Sequence, residues 1–148
     1  MKHSIEMNIK IKKLHENAVI PSYGKEGDCG LDLTAISVST IDKGKFGYIE
    51  YDTGLSVEIP EGYVGLVYPR SSLSNTGLIL ANHVGVIDQN YRGSIKCRFK
   101  AIPNTDIYSV GDRIAQLIIQ PCPKIEFEVV EELSDTTRGD LRFGSRGA

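Results

Sequence analysis

The strongest constraint on this chain is a two-residue alternation of apolar and polar side chains in short stretches. Ile5, Met7, Ile9 and Ile11 form one. Leu55, Val57 and Ile59 alternate with Ser56 and Glu58, Ile95, Cys97 and Phe99 with Lys96 and Arg98, and Ile125, Phe127 and Val129 with Glu126 and Glu128. Successive side chains of a strand point to opposite faces, so each stretch predicts a strand with one buried face. Turn clusters separate the stretches: Gly27-Asp-Cys-Gly30, Asp42-Lys-Gly44, Pro60-Glu-Gly62, Asn75-Thr-Gly77, Pro103-Asn-Thr-Asp106 and Val110-Gly-Asp112. Many short strands between such turns predict an all-β sandwich, jelly roll or barrel. No segment carries a long 3.6-residue period. The one helix candidate is a short turn near Ser71-Ser-Leu-Ser74, with serine as its N-cap. From Ser134 the periodicity stops. This predicts a β domain over 1–133 and a mobile C-terminal arm over 134–148.

At 148 residues the chain is long enough for one domain with one core. Its net charge of −2 excludes a dedicated nucleic-acid binder, which carries a basic excess. No apolar run reaches the roughly 18 residues of a membrane span, and the N-terminus lacks the apolar centre of a signal peptide. Cys29, Cys97 and Cys122 have neither disulfide-framework nor zinc-site spacing. Cys97 and Cys122 are expected as buried thiols, and the expected compartment is a reducing cytoplasm.

Gly85-Val-Ile-Asp-Gln-Asn-Tyr-Arg-Gly93 reads as a tight β-hairpin bent at Gln89 and Asn90. Asp88 stands where a strand meets its turn. On the hairpin alone the acid reads either as a plain structural feature of the bend or as a base able to accept a proton from a water within roughly 2.6–3.2 Å. Free backbone groups at the bend are fixed donors and acceptors for a flat polar ring. Pro69-Arg-Ser-Ser72 sets a guanidinium and two hydroxyls at the proposed helix start, a pattern suited to phosphate or to plain capping. Gln116 interrupts Ile114-Ala-Gln-Leu-Ile-Ile119, read as a strand buried on both faces. Its amide needs a partner there, either a backbone group or a ligand. Arg138-Gly-Asp-Leu-Arg-Phe-Gly-Ser-Arg-Gly147 joins cations, a pliant backbone and an aromatic that can stack on a base. His3, His15 and His83 form no metal-ligand pair, and no P-loop sequence is present.

Five segments, taken in order, resemble the trimeric dUTP diphosphatase (dUTPase) family: Gly30-Leu-Asp-Leu33, Pro69-Arg-Ser-Ser72, Asn82 to Gly93, Gly111-Asp-Arg-Ile-Ala-Gln-Leu117 and Arg138 to Gly147. Each alone is short and permissive, whereas five in order within one domain are specific. The resemblance implies a jelly-roll-like β-barrel, a homotrimer whose three sites each draw on all subunits, and Mg²⁺-dependent cleavage of dUTP to dUMP and pyrophosphate. It implies that Asp88 activates the water that attacks the α-phosphorus, and that Tyr91 packs on deoxyribose and excludes a 2′-hydroxyl. Asn82, Gly85, Val86, Ile87 and the backbone of Lys96 match the uracil reader. Arg70, Ser71, Ser72 and Gln116 match triphosphate contacts. Arg138, Phe143, Gly144 and Ser145 match the arm that closes over γ-phosphate and uracil. Mg²⁺ is implied to be held by the phosphates and water with no direct protein ligand, Asp32 orienting one of its waters.

The chain departs from the family pattern at Leu141 and Arg142, which occupy glycine-type positions, at Arg146, which replaces a threonine, and at Gln89-Asn90, which replace an acidic pair. Two rival readings share the scaffold: a dCTP deaminase, and a non-catalytic nucleotide-sensing or interaction module. The order Ile87-Asp88-x-x-Tyr91 and the aromatic arm fit the diphosphatase better than the deaminase. A pure binder has no use for an aimed carboxylate.

Overall fold

Every strand pairing among the described residues is antiparallel. The structure is a computed structural model and describes residues 6–42, 44 and 47–142. In chain order the strands are β1 Lys10–Lys13, β2 Ser22–Tyr23, β3 Leu31–Thr34, β4 Ser37–Ile41, β5 Tyr48–Asp52, β6 Leu55–Glu58, β7 Tyr63–Tyr68, β8 Leu78–Leu80, β9 Gly85–Ile87, β10 Lys96–Ala101 and β11 Arg113–Pro121. They form a five-stranded sheet in the order β2-β3-β11-β7-β9, a four-stranded sheet β4-β5-β10-β8, and a two-stranded ribbon β1-β6. From β7 to β11 the chain changes sheet at every strand. That weave between two antiparallel sheets is a jelly-roll arrangement.

One apolar core joins the sheets. β10 shows how alternation builds it: Ile95, just before it, Cys97 and Phe99 are buried, while Lys96, Arg98 and Lys100 face out. Tyr51 and Phe99 meet edge to face at 5.6 Å between ring centroids, and Tyr108 packs on both. The Tyr51 hydroxyl donates to the Tyr108 carbonyl at 2.7 Å, and burial raises its pKa. Among the described residues no helix is long and apolar enough to cross a membrane.

Several sequence expectations are corrected. The stretch 85–93 contains a turn, closed by the Tyr91 N–H donating to the Asp88 carbonyl at 3.1 Å, but it is no hairpin. Among the described residues β9 pairs only with β7, while β10 pairs with β5 and β8, so the turn bridges two sheets. The serine-capped helix is a 3-10 turn, Ser71–Asn75, capped by the backbone of Arg70 without a side-chain bond. Five residues are too few for an α-helical dipole. β1 begins only at Lys10, and Met7 is exposed. In β11, Ile114, Ala115 and Leu117 are buried, but Gln116, Ile118 and Ile119 are only half-buried, so one face alone is sealed. Cys97 is buried, whereas Cys122 is exposed one residue past the last strand.

The largest departure follows Pro121. Ile125, Phe127 and Val129 alternate as a strand should, yet they form none and are 64%, 89% and 97% exposed. A strand needs a neighbour for its ladder, and this segment has none among the described residues.

Candidate functional site

Among the described residues β9 is an edge strand, bonded to β7 on one side. Nothing among them pairs with its other edge, whose N–H and C=O groups are a ready template for a polar ligand. Gly85, Val86 and Ile87 line a cavity of about 490 Å³ together with Asn82, Tyr91 and Lys96. All six expected base- and sugar-contacting residues therefore meet at one cavity, of a size typical for a small ligand.

The loop that carries Asp88 and Tyr91 is tied down from the β5–β6 corner. The buried Thr53 hydroxyl donates to the Ile95 carbonyl at 2.7 Å, and the Ser56 hydroxyl donates to the Arg92 carbonyl at 2.6 Å. The Arg92 guanidinium donates to the Gln89 carbonyl at 2.6 Å and faces Glu58 at 3.5 Å. Asp88 follows the buried Ile87 directly, and its carboxylate is exposed. The Tyr91 ring folds back over its own turn. A Cβ on Gly93 would stand 2.6 Å from the Tyr91 hydroxyl oxygen, so any larger residue there would push the ring aside.

A second cavity of about 450 Å³ gathers the expected phosphate residues: Asp32 from β3, Arg70 and Ser71 after β7, and Gln116 from β11. Gln116 pairs with Asp32 on one side and Tyr68 on the other, so the three share a row across the sheet. The Gln116 amide donates to the Pro69 carbonyl at 3.0 Å, the backbone partner foreseen for it, and a second amide hydrogen remains. Gly30 makes room for it, because a Cβ there would meet the Gln116 oxygen at 2.0 Å. Arg70 is braced by Asp32 at 3.5 Å and by the Arg113 carbonyl at 3.2 Å, and its contact to the Ser72 hydroxyl is long at 3.5 Å. Ser72 is exposed and does not line the cavity.

Arg113 was invisible to the alternation. Strict period two places it on the core face with Ala115 and Leu117. The register instead slips by one residue between Arg113 and Ala115, opposing Arg113 to Thr34 and Gln116 to Asp32. That bulge swings Arg113 onto the face of Asp32, and its guanidinium reaches that carboxylate at 3.3 Å. Asp32 thus lies between two guanidinium groups. With Lys25 and Asp28 also at the rim, the cavity holds three cations against two carboxylates, a field suited to an anion.

Tyr48 and Arg98 at the first cavity were also missed. Arg98 stacks over the Tyr48 ring at 4.5 Å and donates to Glu50 at 2.8 Å; the Glu50 bond raises its pKa and keeps it charged. The outward alternation of Lys96 and Arg98 was the available signal. Cys97, also at this cavity, is no nucleophile, since burial pushes its thiol up to about 12.

The two cavities do not merge within one copy. Ile87 pairs with Gly65 and Gln116 with Tyr68, about 10 Å apart along β7 at strand rise. Asp88 lies beyond one end of that span and Arg70 beyond the other. Arg138 stands apart from both, bonded to the Arg142 carbonyl at 3.1 Å beside a hollow lined by arm residues. Phe143, Gly144 and Ser145 lie outside the described residues.

Residues 16–147 match the dUTPase family. The deoxyuridine 5′-triphosphate nucleotidohydrolase of Corynebacterium glutamicum is 44% identical over 142 residues, covering 94% of each chain. That of Helicobacter pylori is 41% identical over 143 residues, covering 95% of this chain and 97% of its own. Among solved structures, a dUTPase variant of Staphylococcus bacteriophage 80alpha with dUpNHpp superposes with a TM-score of 0.77 at 29% identity, over 95% of this chain and 99% of that one. A dUTPase variant from phage phi11 of S. aureus, described with a structural Mg(II) ion, gives a TM-score of 0.70 at 28% identity, over 85% of this chain and 98% of that one.

Proposed function

The chain belongs to the dUTPase family, and we infer that it is a dUTP diphosphatase in which Asp88 is the general base. The observation that carries this reading is the edge of β9 left unpaired among the described residues: the strand runs directly into Asp88 and lines the cavity shared with Asn82, Tyr91 and Lys96. A uracil hydrogen-bonded along that edge brings its sugar against Tyr91 and its phosphates towards Asp88. Asp88 takes a proton from water as the water oxygen bonds to the α-phosphorus. The bond from that phosphorus to the bridging oxygen breaks, and pyrophosphate leaves. Phosphoryl transfer needs positioning and charge neutralisation more than covalent help. Arg70, Ser71, Ser72 and Gln116 hold the triphosphate. Arg138, Phe143, Gly144 and Ser145 cover it and exclude water, with 134–148 acting as an arm on a β domain of 1–133.

Mg²⁺ supplies further charge neutralisation when bound with the triphosphate. The donors here suit a water-mediated hold rather than direct ligation. Asp32 has both oxygens facing guanidinium groups at 3.3 and 3.5 Å, and the described residues contain no cluster of three or more His, Cys, Asp or Glu that fits a metal. From that position Asp32 would help hold a hydrated Mg²⁺ through a water.

The working unit in this reading is a homotrimer. Two observations support it: Asp88 and Arg70 occupy opposite ends of β7, and the alternating segment 125–129 has an apolar face without a sheet. A second copy answers both, giving the segment a neighbour and bringing one copy's Arg70 to another's Asp88. The proposed compartment is the cytoplasm, in keeping with three unpaired cysteines.

Pyrophosphate release with Mg²⁺, compared across dUTP, dCTP, dTTP and UTP, tests the reading; dUTP is the substrate expected to be cleaved. Ammonia release from dCTP supports the deaminase instead. Asp88→Asn is expected to lower turnover by on the order of 10³-fold while largely sparing dUTP binding. Equal loss of binding and turnover contradicts the base assignment.

A further inference from the structure

Tyr91 is 44% exposed, so packing alone does not fix its ring. What fixes it is a chain of hydrogen bonds. The Tyr91 hydroxyl donates to the Ser94 carbonyl at 2.7 Å. The Ser94 hydroxyl donates to the Asp52 carboxylate, and the same carboxylate oxygen accepts the Gly54 N–H at 2.8 Å. Asp52 ends β5 in the four-stranded sheet, where it pairs with Ser37 on one side and Lys96 on the other. The Lys96 ammonium is directed to Glu50 at 3.8 Å, not to Asp52. The carboxylate therefore serves the turn and the loop. Its Ser94 link is partly buried, where charge-assisted hydrogen bonds are stronger than at an open surface.

We infer that Asp52 and Ser94 are positioning residues for sugar selection, a relay that anchors the exposed Tyr91 ring to the rigid end of β5. The inference rests on the assignment of Tyr91 as the wall against a 2′-hydroxyl. Rejecting a substrate by one added oxygen is a steric task, and a wall that yields does not perform it. An exposed tyrosine with a free hydroxyl swings between staggered rotamers at small cost. The same ring bound to a carbonyl that is itself anchored by a carboxylate must break a hydrogen bond to move. The relay thus acts on the ratio of dUTP to UTP turnover rather than on the chemical step.

The test is that ratio of kcat/KM values, measured by pyrophosphate release with Mg²⁺ for wild type, Asp52→Ala, Asp52→Asn, Ser94→Ala and Tyr91→Phe. Loss of one hydrogen bond corresponds to about a five- to tenfold change, so Asp52→Ala, Ser94→Ala and Tyr91→Phe are each expected to lower the ratio by about that factor. Asp52→Asn retains an acceptor oxygen and is expected to restore most of it. Tyr91→Phe removes a single surface oxygen and keeps the test open if the others fold poorly. Ratios within twofold of wild type in Ser94→Ala and Tyr91→Phe overturn the relay, as does a parallel fall for both substrates, which marks a tie that only holds the fold. A wild-type chain that releases no pyrophosphate from dUTP overturns the activity itself, and the relay with it.

Discussion

Two stretches of this chain carry the same pattern and meet opposite fates. Ile95, Cys97 and Phe99 alternate with basic residues and are buried to 3%, 2% and 0% exposure; Ile125, Phe127 and Val129 alternate with glutamates and are 64%, 89% and 97% exposed. The first has β5 and β8 on either side, and the second has no strand beside it among the described residues. Alternation states that a segment has one apolar face. It does not state whose sheet that face will cover.

The sharpest way to break the comparison is to charge the exposed face. Phe127→Asp with Val129→Asp is expected to leave the single-chain fold intact and to abolish the proposed trimer, read by sedimentation. Without a second copy at the site, turnover should fall by on the order of 10³-fold, the scale of losing transition-state electrostatic contacts. A monomer with full activity contradicts the shared-site account. Phe99→Ala is the matching change on the buried stretch. It is expected to cost about 3–5 kcal/mol of stability in a denaturant melt, while Phe127→Ala shifts the stability of the single chain by only about 0.5 kcal/mol or less. Equal costs would mean that the two stretches are not in different environments.

A smaller effect sharpens the contrast from the buried side. The Cys97 thiol, ordinarily at 9.0, is held protonated to about 12 in the fold by desolvation. On alkalisation the unfolded chain loses that proton first. The contribution is therefore complete below pH 9 and is lost as pH rises towards 12. The raised Tyr51 hydroxyl acts in the same direction above pH 10. Melting temperature is expected to fall over pH 9–11, less steeply in Cys97→Val; an unchanged slope in that variant removes Cys97 as the cause.

The bend backbone after Gly85 was legible from the residues as a reader of a flat polar ring, whereas Asn82, Tyr91 and Lys96 joined it only through the family resemblance, and all line one cavity. Gln116 beside Asp32 and Arg70 was legible only through the family resemblance, since these residues come from three separate elements. The hairpin expected at 85–93 failed because local turn signals carry no record of which sheet each arm joins. Arg113 was missed because a one-residue bulge reversed the face that strict alternation assigns it. Cys122 was read as buried from its apolar neighbours, but the strand ends one residue before it. In each case local chemistry was readable and long-range pairing was not.

The central claim is that Asp88 of one copy works with Arg70 of another. The direct measurement is co-refolding of two inactive chains, Asp88→Asn and Arg70→Ala, mixed in equal amounts. Random assembly returns about a quarter of the sites with both residues intact, so pyrophosphate release from dUTP is expected at roughly a quarter of wild type. A mixture no more active than its separate components would put Asp88 and Arg70 of each site on the same chain and contradict the account.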